Sequence, residues 1–151
     1  MGFISLTGDP AERRPTSRLT LSNRQENLKL LRDFVQDWAR ERGLSAPRRA
    51  SLEKTAGEIF LHLIQAYRSD QPGSIAISLE EKGARVRLMF EDDAPPYDPT
   101  STDDRGPGAT GAPPAPAKRG NNFGLVRQST DSLIYYRTAD QKNRLVVFLT
   151  L

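Results

Sequence analysis

The sequence predicts an α+β fold: a two-layer sandwich in which a mostly antiparallel sheet is covered on one face by helices. Two observations lead to this prediction. Stretches with alternating apolar residues and stretches with helical spacing follow one another as strand, helix, helix, hairpin, loop, helix, hairpin. The length of 151 residues, of which 36% are hydrophobic, suits a single domain with a modest core.

The first half of the chain predicts one strand and two helices. Residues 17–21 alternate and form the strand. Ser22 and Gln25 have the spacing of a capping box, which predicts the start of the first helix, and Gly43 ends it. The buried face of this helix is predicted to be Leu28, Leu31, Phe34, Val35 and Trp38. A second helix is predicted over 51–67, and its apolar face is Ala56, Ile59, Phe60, Leu63 and Tyr67.

The second half of the chain predicts two hairpins with a short helix between them. Alternating apolar residues at 75–79 and 86–90 surround a turn at 81–83. Residues 123–130 have the pattern of a short helix. The last hairpin joins residues 132–138 to residues 144–151.

Two segments differ in composition from the predicted domain, which covers 17–151. Residues 1–16 have the character of a flexible leader. Residues 94–120 contain seven of the eleven prolines and four of the eleven glycines in the chain. Because such a segment has little to bury, we expect 94–120 to be a mobile loop.

Composition excludes several kinds of site. The chain has no Cys and one His, which rules out disulfides, thiolate nucleophiles and zinc sites built on several histidines. No apolar run is long enough to span a membrane or to act as a secretory signal, so a cytoplasmic location is expected. The net charge of +3 is weak, but it leaves a nucleic-acid-binding module as an alternative. The arginines for that role would be Arg13, Arg14, Arg18, Arg48 and Arg49.

Three groups of residues are candidates for chemistry. Glu58 and His62 lie four apart on the second predicted helix and therefore share a face, either as a solvated polar pair or as a general base with a polar partner. Asp92 ends a predicted strand, either as a turn residue or as an acceptor for a donor group on a base. Gly120 precedes the short helix, where glycines let backbone N–H groups approach a phosphate.

The order and spacing of these motifs resemble the small GHKL-type ATPase domain of the anti-sigma-factor serine kinase family. The resemblance covers roughly residues 17–151. The segments that carry it are LEKTAGEIFLHLIQAY, FEDDAPPYDP and FGLVRQSTDSLIYYRTADQKNRLVVFL. It implies the GHKL-type (Bergerat) ATPase fold, with residues 94–120 as the nucleotide lid.

The resemblance also implies a role for each candidate residue. Glu58 stands where the family has the base for the Ser hydroxyl of a protein substrate, and His62 stands where the family has an Asn that holds Mg²⁺. Asp92 matches the Asp that contacts the adenine amino group, and Ala94 takes a Gly position nearby. The family's Phe-Asp-Pro reads Tyr97-Asp98-Pro99 here. In the phosphate loop Gly120 matches, while Arg119 and Asn122 stand at two of the family's Gly positions. Arg119 would offer positive charge to the phosphates there.

The implied function is that of a partner-switching regulator. It would bind a STAS-type antagonist and a sigma factor or other output protein in alternation, and phosphorylate a Ser of the antagonist with ATP and Mg²⁺. A non-catalytic protein-binding module on the same scaffold is the alternative, because the departures from the family's pattern all fall at the nucleotide. Family members commonly pair through the sheet and the N-terminal strand, so a homodimer is expected.

Overall fold

A computed structural model describes residues 17–68, 70–98 and 126–150. The strands there are β1 (Ser17–Ser22), β2 (Ser74–Lys82), β3 (Arg85–Asp92), β4 (Ser132–Arg137) and β5 (Asn143–Thr150). The helices are α1 (Leu28–Glu41), preceded by a 3₁₀ turn at Gln25–Asn27, and α2 (Ala46–Ile64). Residues 126–128 are also helical, within the short helix predicted before the last hairpin. The predicted leader (1–16) and the lid beyond residue 98 lie outside the described residues.

The five strands form one sheet in the order β1-β2-β3-β5-β4, and every neighbouring pair is antiparallel. Both predicted hairpins are present, β2 with β3 and β4 with β5. The pairing of β3 with β5 sets Asp92 opposite Asn143 at one end of the sheet. The α+β fold class is therefore confirmed, and the sheet is antiparallel throughout the part of the chain that the structure describes.

The core lies between the helices and one face of the sheet. Alternate residues of the central strands supply the sheet side, and the predicted faces of both helices supply the other side. The largest fully buried side chains include Leu31, Val35, Ile59, Phe60, Ile75, Ile77, Leu79, Leu88 and Phe90. Leu28 and Phe34, predicted to be buried, are only partly so and pack at the margin of this core.

The helix starts differ from those predicted. Ser22 ends β1 and is not a helix cap, so the capping-box prediction is wrong; Ser22 Oγ instead accepts a hydrogen bond from Asn27 Nδ2 at 2.8 Å. The second helix begins at Ala46, not at residue 51, with Ser45 as its N-cap. A proline in the first helical turn has no N–H that needs an acceptor, so Pro47 permits this earlier start.

The end of α1 is as predicted. Gly43 has φ +74°, a conformation that glycine adopts without steric cost. The N–H of Gly43 donates to the Arg40 carbonyl and that of Leu44 to the Ala39 carbonyl, which is the Schellman pattern of helix termination.

Truncation of Leu63 tests the packing of α2 on the sheet. Leu63 is 3% exposed, so we expect Leu63→Ala to lower the free energy of unfolding by about 2–5 kcal/mol, because it removes buried methyl groups and leaves a cavity. Urea denaturation measures the change. Leu30, at 52% exposure, is the control, and Leu30→Ala should change stability by less than about 0.5 kcal/mol. Equal effects of the two substitutions would show that the buried face is misassigned.

Candidate functional site

Asp92 and Ala94 lie where β3 ends and β5 begins, and the segment that follows them carries Tyr97 to His62 on α2. Asp92 is the last residue of β3, and it is 3% exposed. Asn143 Nδ2 donates to Asp92 Oδ1 at 2.9 Å, and the Ala94 N–H donates to the same oxygen at 3.0 Å. Of the described residues, none donates to Oδ2. Within residues 17–68, 70–98 and 126–150, Oδ2 of this buried carboxylate is therefore an acceptor without a donor.

Burial and hydrogen bonding act in opposite directions on Asp92. Burial raises the pKa of the Asp92 carboxyl because it disfavours the charged form, while the hydrogen bonds from Asn143 and the Ala94 N–H lower it. The net shift is upward. The pKa of the neighbouring Asp93 is lowered instead. Burial raises this pKa, but hydrogen bonds from the Tyr67 hydroxyl (2.6 Å) and the Ser74 N–H (3.1 Å) lower it by more.

Asn143 connects Asp92 to the segment that follows β3. Besides Asp92, its Nδ2 donates to the carbonyls of Ala94 (3.1 Å) and Pro95 (3.0 Å). Its Oδ1 accepts from the Tyr135 hydroxyl at 2.6 Å and from Arg137 Nη1 at 3.0 Å. Arg137 Nη1 also donates to the Ala94 carbonyl at 3.1 Å. The start of the predicted lid is thus held by side chains of β4 and β5.

His62 is buried, at 2% exposure, so the interpretation of it as a solvated surface residue is wrong. Its Nε2 lies 2.7 Å from the Tyr97 hydroxyl oxygen, and the two rings stack with centroids 5.6 Å apart and planes 21° apart. Burial raises the pKa of Tyr97 to about 12, with a further contribution from the Asp98 charge. The Tyr97 hydroxyl is therefore neutral near pH 7.

Glu58 lies one turn before His62 on α2 and is partly buried. It lines a cleft of about 450 Å³ together with Ala50, Ser51, Lys54, Thr55, Gln128 and Ser129. A glutamate that lines a cleft can offer its carboxylate to a substrate hydroxyl, which is what a general base requires.

Not every predicted residue belongs to this arrangement. Arg119, Gly120 and Asn122 lie outside the described residues, so their phosphate role stays a prediction.

The arginines proposed for nucleic-acid binding that the structure describes are partly engaged in contacts within the chain. Arg18 donates to Ser78 Oγ and pairs with Glu91, and Arg49 donates to the Leu44 carbonyl at 2.8 Å. These contacts leave less free charge for a phosphate backbone.

Comparison with protein families agrees with the fold. Residues 21–149 match the model of the histidine kinase-like ATPase domain. The chain belongs to this family. No curated protein matches the sequence at a significant level. No helix in the described part of this ATPase domain is long and apolar enough to cross a membrane.

GHKL ATPase domains typically bind ATP with Mg²⁺, and the residues of this ATPase domain fit the two ligands unequally. Asp92 fits the adenine amino group, because Oδ2 can accept a hydrogen bond inside a buried site. His62 does not fit Mg²⁺, which prefers oxygen ligands, since its Nε2 is already hydrogen-bonded to Tyr97. The described residues also include no group of three or more His, Cys, Asp or Glu side chains that could hold a metal ion.

The contacts of Asn143 and Arg137 with the end of β3 in this ATPase domain were not predicted from the sequence. Asn143 is separated from Asp92 by 51 residues, and Tyr97 is separated from His62 by 35. The two predicted hairpins did not pair the strand that ends at Asp92 with the last strand, so no predicted register set Asn143 opposite Asp92. No local pattern connects His62 with Tyr97.

Proposed function

We propose that this ATPase domain is a partner-switching regulator, acting in the cytoplasm, that binds a STAS-type antagonist and a sigma factor or other output protein in alternation. In this proposal the domain binds ATP weakly through Asp92. Phosphorylation of a Ser on the antagonist is slow or absent. Regulation then depends on protein binding more than on phosphate transfer.

The observation that carries this proposal is the hydrogen bond between His62 and Tyr97. His62 occupies the position of the Asn that holds Mg²⁺ in the family that the sequence resembles, and its Nε2 is engaged at 2.7 Å by the Tyr97 hydroxyl. Mg²⁺ neutralises the charge that develops on a phosphoryl group in transfer. A site that lacks this ligand therefore loses more in phosphate transfer than in adenine binding.

Glu58 supports a residual kinase activity. Its carboxylate lines the cleft beside α2, where the Ser hydroxyl of an antagonist could approach it. A positioned general base contributes typically about 100- to 10,000-fold to a rate, so any residual transfer would depend on Glu58.

Two measurements on the same mixtures test the proposal. Isothermal titration calorimetry with purified STAS-domain proteins and sigma factors of the source organism should show a complex, and radiolabelled ATP should show little transfer to the STAS protein. Glu58→Gln is the matched variant, because it keeps the side-chain size and removes the base. We expect it to bind the partner normally and to lower residual transfer by about 100-fold or more.

Two outcomes would contradict the proposal. Brisk phosphorylation by the unaltered protein would show that the site is fully active. Failure to bind any antagonist or output protein would remove the partner-switching role, whatever the nucleotide result.

We also propose a homodimer that forms through β1. This strand is at one edge of the sheet and pairs with β2 alone among the described strands, so its outer backbone groups can pair with a second copy. We expect light scattering at tens of micromolar to give the mass of a dimer. A monomer at that concentration would remove the dimer without affecting the fold.

A further inference from the structure

Two departures from the kinase family's pattern contact each other in this chain. The family's Mg²⁺-holding Asn is replaced by His62 on α2, and the Phe of its Phe-Asp-Pro is replaced by Tyr97 after β3. The two replacements form one hydrogen bond, with 2.7 Å between His62 Nε2 and the Tyr97 hydroxyl oxygen. A Phe at 97 has no hydroxyl to make this bond. The two residues therefore act as a pair, here called the His–Tyr pair.

The His–Tyr pair is firmly held. His62 is 2% exposed, and its ring stacks on that of Tyr97 with the planes 21° apart. The chain just before Tyr97 is fixed separately, since Asn143 donates to the carbonyls of Ala94 and Pro95. Displacing Tyr97 from His62 would therefore require a change in a segment that is anchored at several points.

The pair also removes His62 Nε2 as a metal ligand at this position. Either the hydroxyl donates to Nε2 or Nε2–H donates to the hydroxyl, and in both cases that nitrogen is unavailable as a ligand. The Tyr97 hydroxyl is engaged in the same hydrogen bond. Asp92 Oδ2, to which no described residue donates, is an acceptor that needs no metal.

We propose that the His–Tyr pair makes nucleotide binding by this domain independent of Mg²⁺, so that its ligand is a 6-aminopurine nucleotide free of divalent metal. The inference rests on the adenine site of the proposed function. Mg²⁺ bridges the β- and γ-phosphates in kinases and ATPases. In the absence of Mg²⁺ the γ-phosphate of ATP gains no contact through the metal. ATP therefore binds no more tightly than ADP.

Calorimetric titration of the full chain with ADP and with ATP, in excess MgCl₂ and in EDTA, tests the inference. For the unaltered protein we expect dissociation constants in the two conditions to agree within about twofold. Tightening by Mg²⁺ of about tenfold or more would overturn the proposal, and so would the absence of ADP and ATP binding in both conditions. GTP is the control, since its 6-oxo group cannot donate to Asp92, and it should bind at least about tenfold more weakly than ATP.

Substitution of the pair gives a second, independent readout. Tyr97→Phe removes only the hydroxyl, and combining it with His62→Asn restores both residues of the family's pattern. We expect the double variant to gain Mg²⁺-dependent ATP binding, by about fivefold or more over EDTA, and to bind Mn²⁺ alone as detected by electron paramagnetic resonance. Circular dichroism checks that it is folded.

The outcomes separate this inference from the proposed function. Mn²⁺ binding by the unaltered chain at this site would overturn the His–Tyr inference, even if partner binding is normal. Conversely, Mg²⁺-independent ADP binding by a chain that binds no STAS protein or sigma factor would support the inference and refute the partner-switching role.

Discussion

Asp92→Asn is expected to weaken ATP binding by about tenfold to a hundredfold while making the folded domain more stable at neutral pH. Asn can still accept, through Oδ1, the hydrogen bonds from Asn143 and the Ala94 N–H. Its amide nitrogen takes the place of Oδ2, and a donor there cannot accept from the adenine amino group. A hydrogen bond to a charged group contributes about 1.5–3 kcal/mol, which corresponds to this loss of affinity.

The gain in stability follows from the direction of the pKa shift. Burial raises the pKa of Asp92 in the folded state above its value in the unfolded state. At pH values between these two pKa values the folded state therefore binds more protons than the unfolded state. The contribution of Asp92 to stability is therefore lost as the pH rises from the unfolded pKa, about 3.9, through the folded one. Asn carries no charge and avoids this loss. The advantage of Asp92→Asn should appear at pH 7 and vanish at low pH.

Asp93→Asn is the matched control, because the same chemical change is made one residue away. The folded-state pKa of Asp93 is lowered, so its stabilising contribution is present at neutral pH and is lost as the pH falls through the folded pKa. Removing its charge should reduce stability at pH 7 and leave ATP affinity unchanged. Urea denaturation across pH and calorimetry with ATP provide the two readouts. Unchanged ATP affinity in Asp92→Asn would contradict this account. So would a change in the free energy of unfolding at pH 7 that has the same sign in both variants.

Asn143→Ala is expected to cost about 3 kcal/mol or more in the free energy of unfolding. The substitution removes the donor to Asp92 and to two backbone carbonyls, and the acceptor for Tyr135 and Arg137. Each buried polar group that loses its partner costs about 1–3 kcal/mol. Because Asn143 is the partner of several such groups, its substitution should be among the most destabilising single changes. Urea denaturation at neutral pH measures the loss.

Two further variants show whether the hydrogen bonds of Asn143 cause this loss. Asn143→Asp keeps the acceptors but sets a second carboxylate beside Asp92, so much of its deficit should disappear at low pH, where the carboxyl groups are protonated. Lys29→Ala removes only an exposed ion pair with Asp33 and should change stability by less than about 0.5 kcal/mol. A loss of under about 1 kcal/mol in Asn143→Ala would show that water replaces the missing partners.

The sequence by itself determined the fold class and most of the elements. Alternation and helical spacing are local properties, and burial of one face follows from them directly. The same is true of Asp92 and Glu58, whose places at a strand end and on a helix face follow from their own segments. Helix starts were less well predicted, because Ser22 fits a cap by spacing but is taken up as the last residue of β1.

Only the tertiary structure decided which side chains meet. Asn143 reaches Asp92 because β5 pairs with β3 in a register that sets their ends opposite each other, across 51 residues of sequence. His62 reaches Tyr97 because the chain leaving β3 passes over α2, and the resulting hydrogen bond makes His62 a buried partner of a hydroxyl. Contacts of this kind depend on register and on how the layers pack, and no periodicity within either segment specifies them.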